Sequence, residues 1–394
     1  MAMTNYSLLT SSFSSLQYPD DGVTEQDNTT REIIDAIQQV ASPIIISVGL
    51  VGSVVGTASL LTVAGLRRRG MGHLLVAICV SDAIFLASVL PMWLGRRYGP
   101  DYDLYNRDGW CELLSLTTMS SNFLATWFTV TLGVERCVAV RHICRQPVDG
   151  DHQGSLKSPT KTFCGPTRTR VAIIGITILA VVVFVNMVVN IGVVRNDEGV
   201  GLCVPLQPAV DAMHVLNNDV DLVVNVIAPN LIIVGLYTAV GVRLSVWRCS
   251  RLEPSHHPGE DERAVCLTEV RLTRTAFLLS AVVVLLSTPS NAVRAAYIVA
   301  GMFRLADPPQ MGGDVLQLVV RQLSRASFAV PFFVVVASHA RIRRSIVLSM
   351  RLTLESAWRQ MKLVLQCDSC CWQSSPVNVE LQLESTAATS DTNR

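Results

Sequence analysis

Seven long apolar stretches run through the chain, separated by polar or cationic segments. The hydrocarbon core of a bilayer, roughly 30 Å thick, needs about 20 residues of helix to cross it. No water reaches that core, so each backbone polar group must bond within its own segment, and helix is the spanning form for runs of this length. The pattern predicts spans at Pro43 to Leu66, Met71 to Leu94, Leu113 to Val140, Thr169 to Val194, Val220 to Val246, Leu272 to Ala300 and Val315 to Ala337. Beyond the last of these, Ile342, Ile346, Met350, Leu354, Trp358, Met361 and Leu365 recur every three or four residues, with Arg341, Arg344, Arg351, Arg359 and Lys362 between them. That spacing predicts a basic amphipathic helix on the membrane surface over residues 341–372. The expected fold is an all-α membrane protein: a polar tail over 1–41, a seven-helix bundle over 42–340, an amphipathic eighth helix, and a polar tail rich in Ser and Thr over 373–394, too poor in apolar residues to pack a core.

Composition agrees with this reading. Half of the 394 residues are hydrophobic and only 16% are charged, where a soluble domain carries about a quarter. No Gly-rich phosphate loop, catalytic triad or paired carboxylates occur, so neither an enzyme nor a cofactor is expected. The basic runs are accounted for by a membrane surface, without nucleic acid.

The distribution of charge orients the bundle. Met1 to Asp35 holds six acidic residues against Arg31 alone and lacks the apolar core of a cleaved leader, so the first span should act as its own insertion signal. Alternate connections and the C-terminal segment hold 23 of the 32 Lys and Arg. Such residues stay on the cytosolic side, which places the N-terminus outside. Asn5-Tyr6-Ser7 and Asn28-Thr29-Thr30 would then lie where glycan is attached. The eleven cysteines show no zinc-ligand spacing, and no metal is expected. Cys111 and Cys203 both fall on the outer side and can pair there. Cys367, Cys370 and Cys371, near the end of the amphipathic helix, are candidate palmitoylation sites.

Polar residues within spans cost about 2.5 to 3.5 kcal/mol for a central Asp, so each asks for a reason. Asp82 sits mid-span in the second helix, either as a buried acid held by polar partners or as an ion or switch residue. Glu135 and Arg136 stand at the cytosolic end of the third span, where such a pair could also be an interfacial anchor. Pro229 and Tyr237 lie eight apart in the fifth span, Glu269 opens the sixth ahead of Pro289, and Pro331 lies in the seventh.

Together with Trp110-Cys111 and Cys203, these residues resemble the rhodopsin-like family of G-protein-coupled receptors, from about Ser42 to Met350. The resemblance implies that Arg136 pairs with Glu135 and Glu269 at rest, that agonist swings the sixth helix about Pro289, and that Arg136 then meets Tyr237 and admits a G-protein. The departures are specific. Glu135-Arg136-Cys137 replaces Asp-Arg-Tyr, Ser287 replaces the usual Trp before Pro289, and Val330-Pro331-Phe332-Phe333-Val334 replaces Asn-Pro-x-x-Tyr. Ala125, Ala326 and Val330 lack the polar groups that would join Asp82 around a sodium ion.

Thr118 stands where amine receptors of that family carry an Asp, and no lysine lies in the seventh span to hold retinal. Asp221, Asn291, Arg294 and Arg321, on the outer halves of the spans, are candidate ligand residues, and with the acidic outer tail they favour a peptide. The segment Ser287 to Arg294 is most similar to invertebrate neuropeptide receptors, including those for FMRFamide-like peptides. The expected protein is a plasma-membrane receptor for a neuropeptide, with heterotrimeric G-protein, arrestin, receptor kinase and membrane lipid as partners; the tail residues Ser385, Thr386, Thr389 and Ser390 are candidate phosphorylation sites. Its rivals are a seven-helix transporter or channel and a decoy receptor that binds without signalling.

Overall fold

Glu25 to Ile34 has no Gly or Pro to break a helix, and its acids Glu25 and Asp27 lie where a helix N-terminus favours negative charge. In the computed structural model this run fuses with the first apolar stretch into one helix, α1 (Glu25–Thr62), which starts well before Pro43. Residues 25–62, 70–99, 103–145, 166–195, 201–205, 222–251, 260–302 and 314–338 are described, with isolated positions between 343 and 359. The remaining long helices are α2 (Gly70–Tyr98), α3 (Trp110–Arg145), α4 (Pro166–Asn190), α5 (Ala228–Arg251), α6 (Glu260–Met302) and α7 (Asp314–Ser338). Each of the seven is long and apolar enough to cross a membrane, and the protein is a multi-pass seven-helix membrane protein.

At two boundaries the backbone leaves regular α-helix inside an expected span. The fourth span was expected to reach Val194, but α4 ends at Asn190, and Ile191–Arg195 (β1) pairs antiparallel with Gly201–Pro205 (β2). Gly192 weakens any continuation of the helix and the β-branched Val193 and Val194 favour extended backbone, although the hydropathy of the valines continues that of the helix. The fifth span opens with a π-helical turn, Leu222–Ile227, ahead of α5. Pro229 explains the widening: it has no N–H to offer the carbonyl four residues back, and its ring crowds that carbonyl.

The bundle presents apolar side chains outward. Val51, Ile174, Leu231 and Leu285 are each more than half exposed, an arrangement suited to lipid rather than water. Inside, Phe123 packs with Ala180 and Phe184, while Ile46, Leu86, Val89, Ala125 and Phe328 form a second cluster, where Phe85 stacks on Phe328 with ring centroids 3.8 Å apart. Six hydroxyls of α3 bond within their own helix: Thr117, Thr118, Ser121, Thr126, Thr129 and Thr131 each donate to the carbonyl four residues earlier, at 2.6 to 3.0 Å. Small residues set the approach of α1 to α7. A Cβ on Gly52 would lie 2.7 Å from the Phe332 ring, and one on Gly49 would lie 2.8 Å from Ala329 Cβ.

Residues Ile346–Arg394 form a second unit. Within it the described positions 346–347, 351, 355–356 and 358–359 are helical, and Arg351 Nε pairs with Glu355 Oε1 at 3.2 Å, one turn along. Most of the expected eighth helix lies outside the described residues, as do the polar tails before 25 and after 359.

Candidate functional site

At one end of α3, Glu135 and Arg136 are adjacent in sequence and both nearly fully buried. Consecutive helical residues point about 100° apart, so a contact between them requires both side chains to bend toward each other. Arg136 Nη2 donates to Glu135 Oε1 at 3.2 Å, and Nη1 donates across to Glu269 Oε2 of α6 at 2.9 Å. One guanidinium is thus shared between two carboxylates on two helices, and the planar fork of Arg suits that division. Glu135 Oε2 and Arg136 Nε are buried with no hydrogen-bond partner, so the network is strained for donors and acceptors. Gly70, at the start of α2, is held to a hydrogen at this place: a Cβ there would come within 2.9 Å of Glu135 Oε1.

Tyr237 of α5 reaches α6 a few turns from this pair. Its hydroxyl donates to the Ala276 carbonyl at 3.0 Å and lies 2.9 Å from Ser280 Oγ, which completes the bond as donor. The ring meets Phe277 edge-on and packs with Val130 and Ile233. Pro289 lies within the continuous α6. Thr288 and Ser287 both donate to the Val284 carbonyl, at 2.6 and 3.3 Å, so a missing backbone donor and two hydroxyls converge on one turn, a recognised cause of helix bending. Pro331 holds the corresponding interior position in α7.

The opposite end is tied by the disulfide Cys111–Cys203, with Cα atoms 5.7 Å apart, which joins α3 to β2. Asn106 reinforces it by accepting the Cys203 amide at 2.9 Å and donating to Asp103 Oδ2 at 2.6 Å. Gly109 takes a φ of 78°, open to glycine at little cost, in the turn that leads into α3.

The candidate residues on the spans divide between places. Asp82 is buried in α2, and its Oδ2 has no hydrogen-bond partner; Leu86, one turn along the same helix, belongs to the apolar cluster with Ala125 and Phe328. Thr118 bonds Ser88 of α2 at 2.8 Å, which engages it between helices. Asn291 is half-buried on α6. Arg321 lines a cavity of about 270 Å³ between α1, α2 and α7, apart from Thr118 and from the charge pair. Asn5, Asp221, Cys367, Cys370 and Cys371 lie outside the described residues, as do the side chains of Asn28 and Arg294. Gln38, Ser42, Trp93 and Gln322 also line that cavity and were not singled out from the sequence. The available signal was spacing: Gln38 and Ser42 lie one turn apart, as do Arg321 and Arg325, and each pair therefore shares a helix face. No protein-family model matches the chain, and no curated protein matches it.

Proposed function

We propose that the protein is a plasma-membrane receptor that converts binding of a peptide outside the cell into nucleotide exchange on a heterotrimeric G-protein inside. The observation that carries this reading is the sharing of Arg136 between Glu135 of α3 and Glu269 of α6, at the end of the bundle remote from the disulfide. A charge contact that joins two helices has two discrete arrangements, formed and broken, and supplies the bistable element that coupling between distant sites requires. The neighbouring Tyr237 belongs to the same arrangement: it now bonds α6, and outward movement of α6 would release its hydroxyl toward Arg136. The cationic connections favour a cytosolic position for the Arg136 end, where a G-protein is met. Continuous helices through α1, α2, α3 and α6 favour this reading over a transporter, whose substrate site is built from interrupted spans.

The test uses membranes from cells that co-express the full chain and a promiscuous G-protein. Glu269→Gln removes the cross-helix partner of Arg136 and is expected to raise basal nucleotide exchange several-fold at matched surface level, whereas adding Arg136→Ala to it should return exchange to background. Equal exchange in wild type and both variants would overturn the proposal.

A further inference from the structure

Departure of Arg136 would leave two carboxylates behind, and they are unequally placed. The Glu269 side chain is 19% exposed and gains water as α6 moves, whereas that of Glu135 is 7% exposed and lies inside the bundle. A buried charge stripped of its partner is strongly destabilising, so opening of the pair needs another holder for Glu135. The first turns of two helices converge on it. Gly70 and Met71 open α2, and Thr169 stands in the first turn of α4. Backbone N–H groups in a first turn lack partners within the helix, and the helix dipole favours an anion there. The Met71 N–H already donates to the Glu135 carboxylate. Thr169, itself buried, brings its hydroxyl to the same point: a Cβ on Gly70 would lie 2.9 Å from Glu135 Oε1 and would overlap Thr169 Oγ1. Only a hydrogen at position 70 leaves that space open. Glu135 Oε2, on a side chain more than nine-tenths buried, has no hydrogen-bond partner and is the acceptor still unused.

We propose that the first turns of α2 and α4 form a second seat for the Glu135 carboxylate, which takes it over when Arg136 leaves, with Gly70 and Thr169 as the residues that shape the seat. The transfer needs no movement of α2 or α4. Rotation about the last side-chain bond of Glu135 brings either oxygen to the Met71 amide, and the Thr169 hydroxyl donates the second bond. Both are charge-assisted, and together with the two helix dipoles they offset the loss of the guanidinium. The pair thus has two settings: Arg136 bonded to both carboxylates, or Arg136 free with Glu135 handed to α2 and α4. The proposal deepens the receptor reading, on which it rests for the consequence of release.

The first test needs no G-protein, so its failure is separable from failure of coupling. The full chain and its variants are placed in phosphatidylcholine nanodiscs, and thermal unfolding is followed by tryptophan fluorescence. Arg136→Ala leaves Glu135 to the seat alone. Thr169→Val, which keeps the side-chain shape and deletes the hydroxyl, should then lower the midpoint by about 2 to 4 °C, against less than about 1 °C in the wild-type chain. Glu135→Gln removes the charge and with it the need for the seat, so adding it to Arg136→Ala should abolish the effect of Thr169→Val. Gly70→Ala, which puts a methyl on the shared point, should act in the same direction as Thr169→Val. Equal losses in wild type and Arg136→Ala, or a loss that survives Glu135→Gln, would overturn the proposal. The second test reads release itself. In membranes with a promiscuous G-protein, Thr169→Val should cut the exchange raised by Glu269→Gln about fivefold, and Thr169→Ser should keep it. Exchange that ignores Thr169→Val would overturn the part of the seat in release. Absence of exchange in every variant, with the thermal cycle as expected, would overturn the receptor reading and leave the seat standing.

Discussion

Tyr237 shows how much one hydroxyl can hold. It bonds the Ala276 carbonyl and Ser280 at once, and Ser280 is fully buried, so Tyr237→Phe leaves the Ser280 hydroxyl short of its partner inside the membrane and takes a second bond from a carbonyl that the α6 backbone already engages. An orphaned buried group costs about 1 to 3 kcal/mol, whereas removing both partners together costs less. Tyr237→Phe is therefore expected to lower the unfolding midpoint in detergent, and Ser280→Ala added to it should cost little more; additive losses across that double-mutant cycle would show that the pair is not coupled. This tie was not readable from residue order. The family resemblance gave Tyr237 a place beside Arg136 but gave no reason to look at Ala276 or Ser280, because a backbone carbonyl leaves no mark on the sequence. The Arg136 contacts with Glu135 and Glu269 are of the other kind. Residue spacing alone left Glu135-Arg136 as a possible interfacial anchor, and only the resemblance brought in Glu269, from more than a hundred residues away, at the position where the structure sets it 2.9 Å from the guanidinium.

The helices were the most legible elements, since hydropathy over about 20 residues reports burial in lipid directly. Their ends were less so. The apolar pattern ignores the polar first turns of α1 and reads straight through Asn190 into β1, because β-branched residues are as apolar in a strand as in a helix. Glycines separate the helix faces that meet protein from those that meet lipid. Gly49 lies against Ala329 and Leu86, with 2.5 Å between a would-be Cβ and Leu86 Cδ1, whereas Gly175 on α4 has nothing within 4 Å. Gly49→Val is thus expected to drive α1 off α7 and lower folded yield on fluorescence-detected size-exclusion chromatography. Gly175→Ala should be tolerated or stabilising by about 0.5 to 1 kcal/mol, the conformational cost that glycine imposes on a helix. Equal losses in the two variants would mean that Gly49 does not sit at a tight crossing.

The two ends of the molecule are held by different chemistry. At one, a covalent bridge and the Asn106 hydrogen bonds fasten β2 to the start of α3; at the other, an ion pair is the joint. Removing a native disulfide costs about 2 to 5 kcal/mol in small secreted domains. Cys111→Ser with Cys203→Ser should accordingly reduce surface delivery and lower the unfolding midpoint, while Glu269→Gln should leave surface delivery near wild type if, as proposed, the joint at that end parts in function. Normal trafficking of the double cysteine variant would remove the bridge from the folding account. The length of α6 gives that joint its character. Glu269 lies twenty residues from Pro289 along one unbroken helix, a distance of about 30 Å. A tilt of only about 3° at the proline would carry the carboxylate about 1.5 Å, far enough to take a 2.9 Å contact out of hydrogen-bond range. On the proposed reading the helix is a lever, long enough that a bend too slight to disturb the packing around its fulcrum is felt at its tip as the loss of a contact.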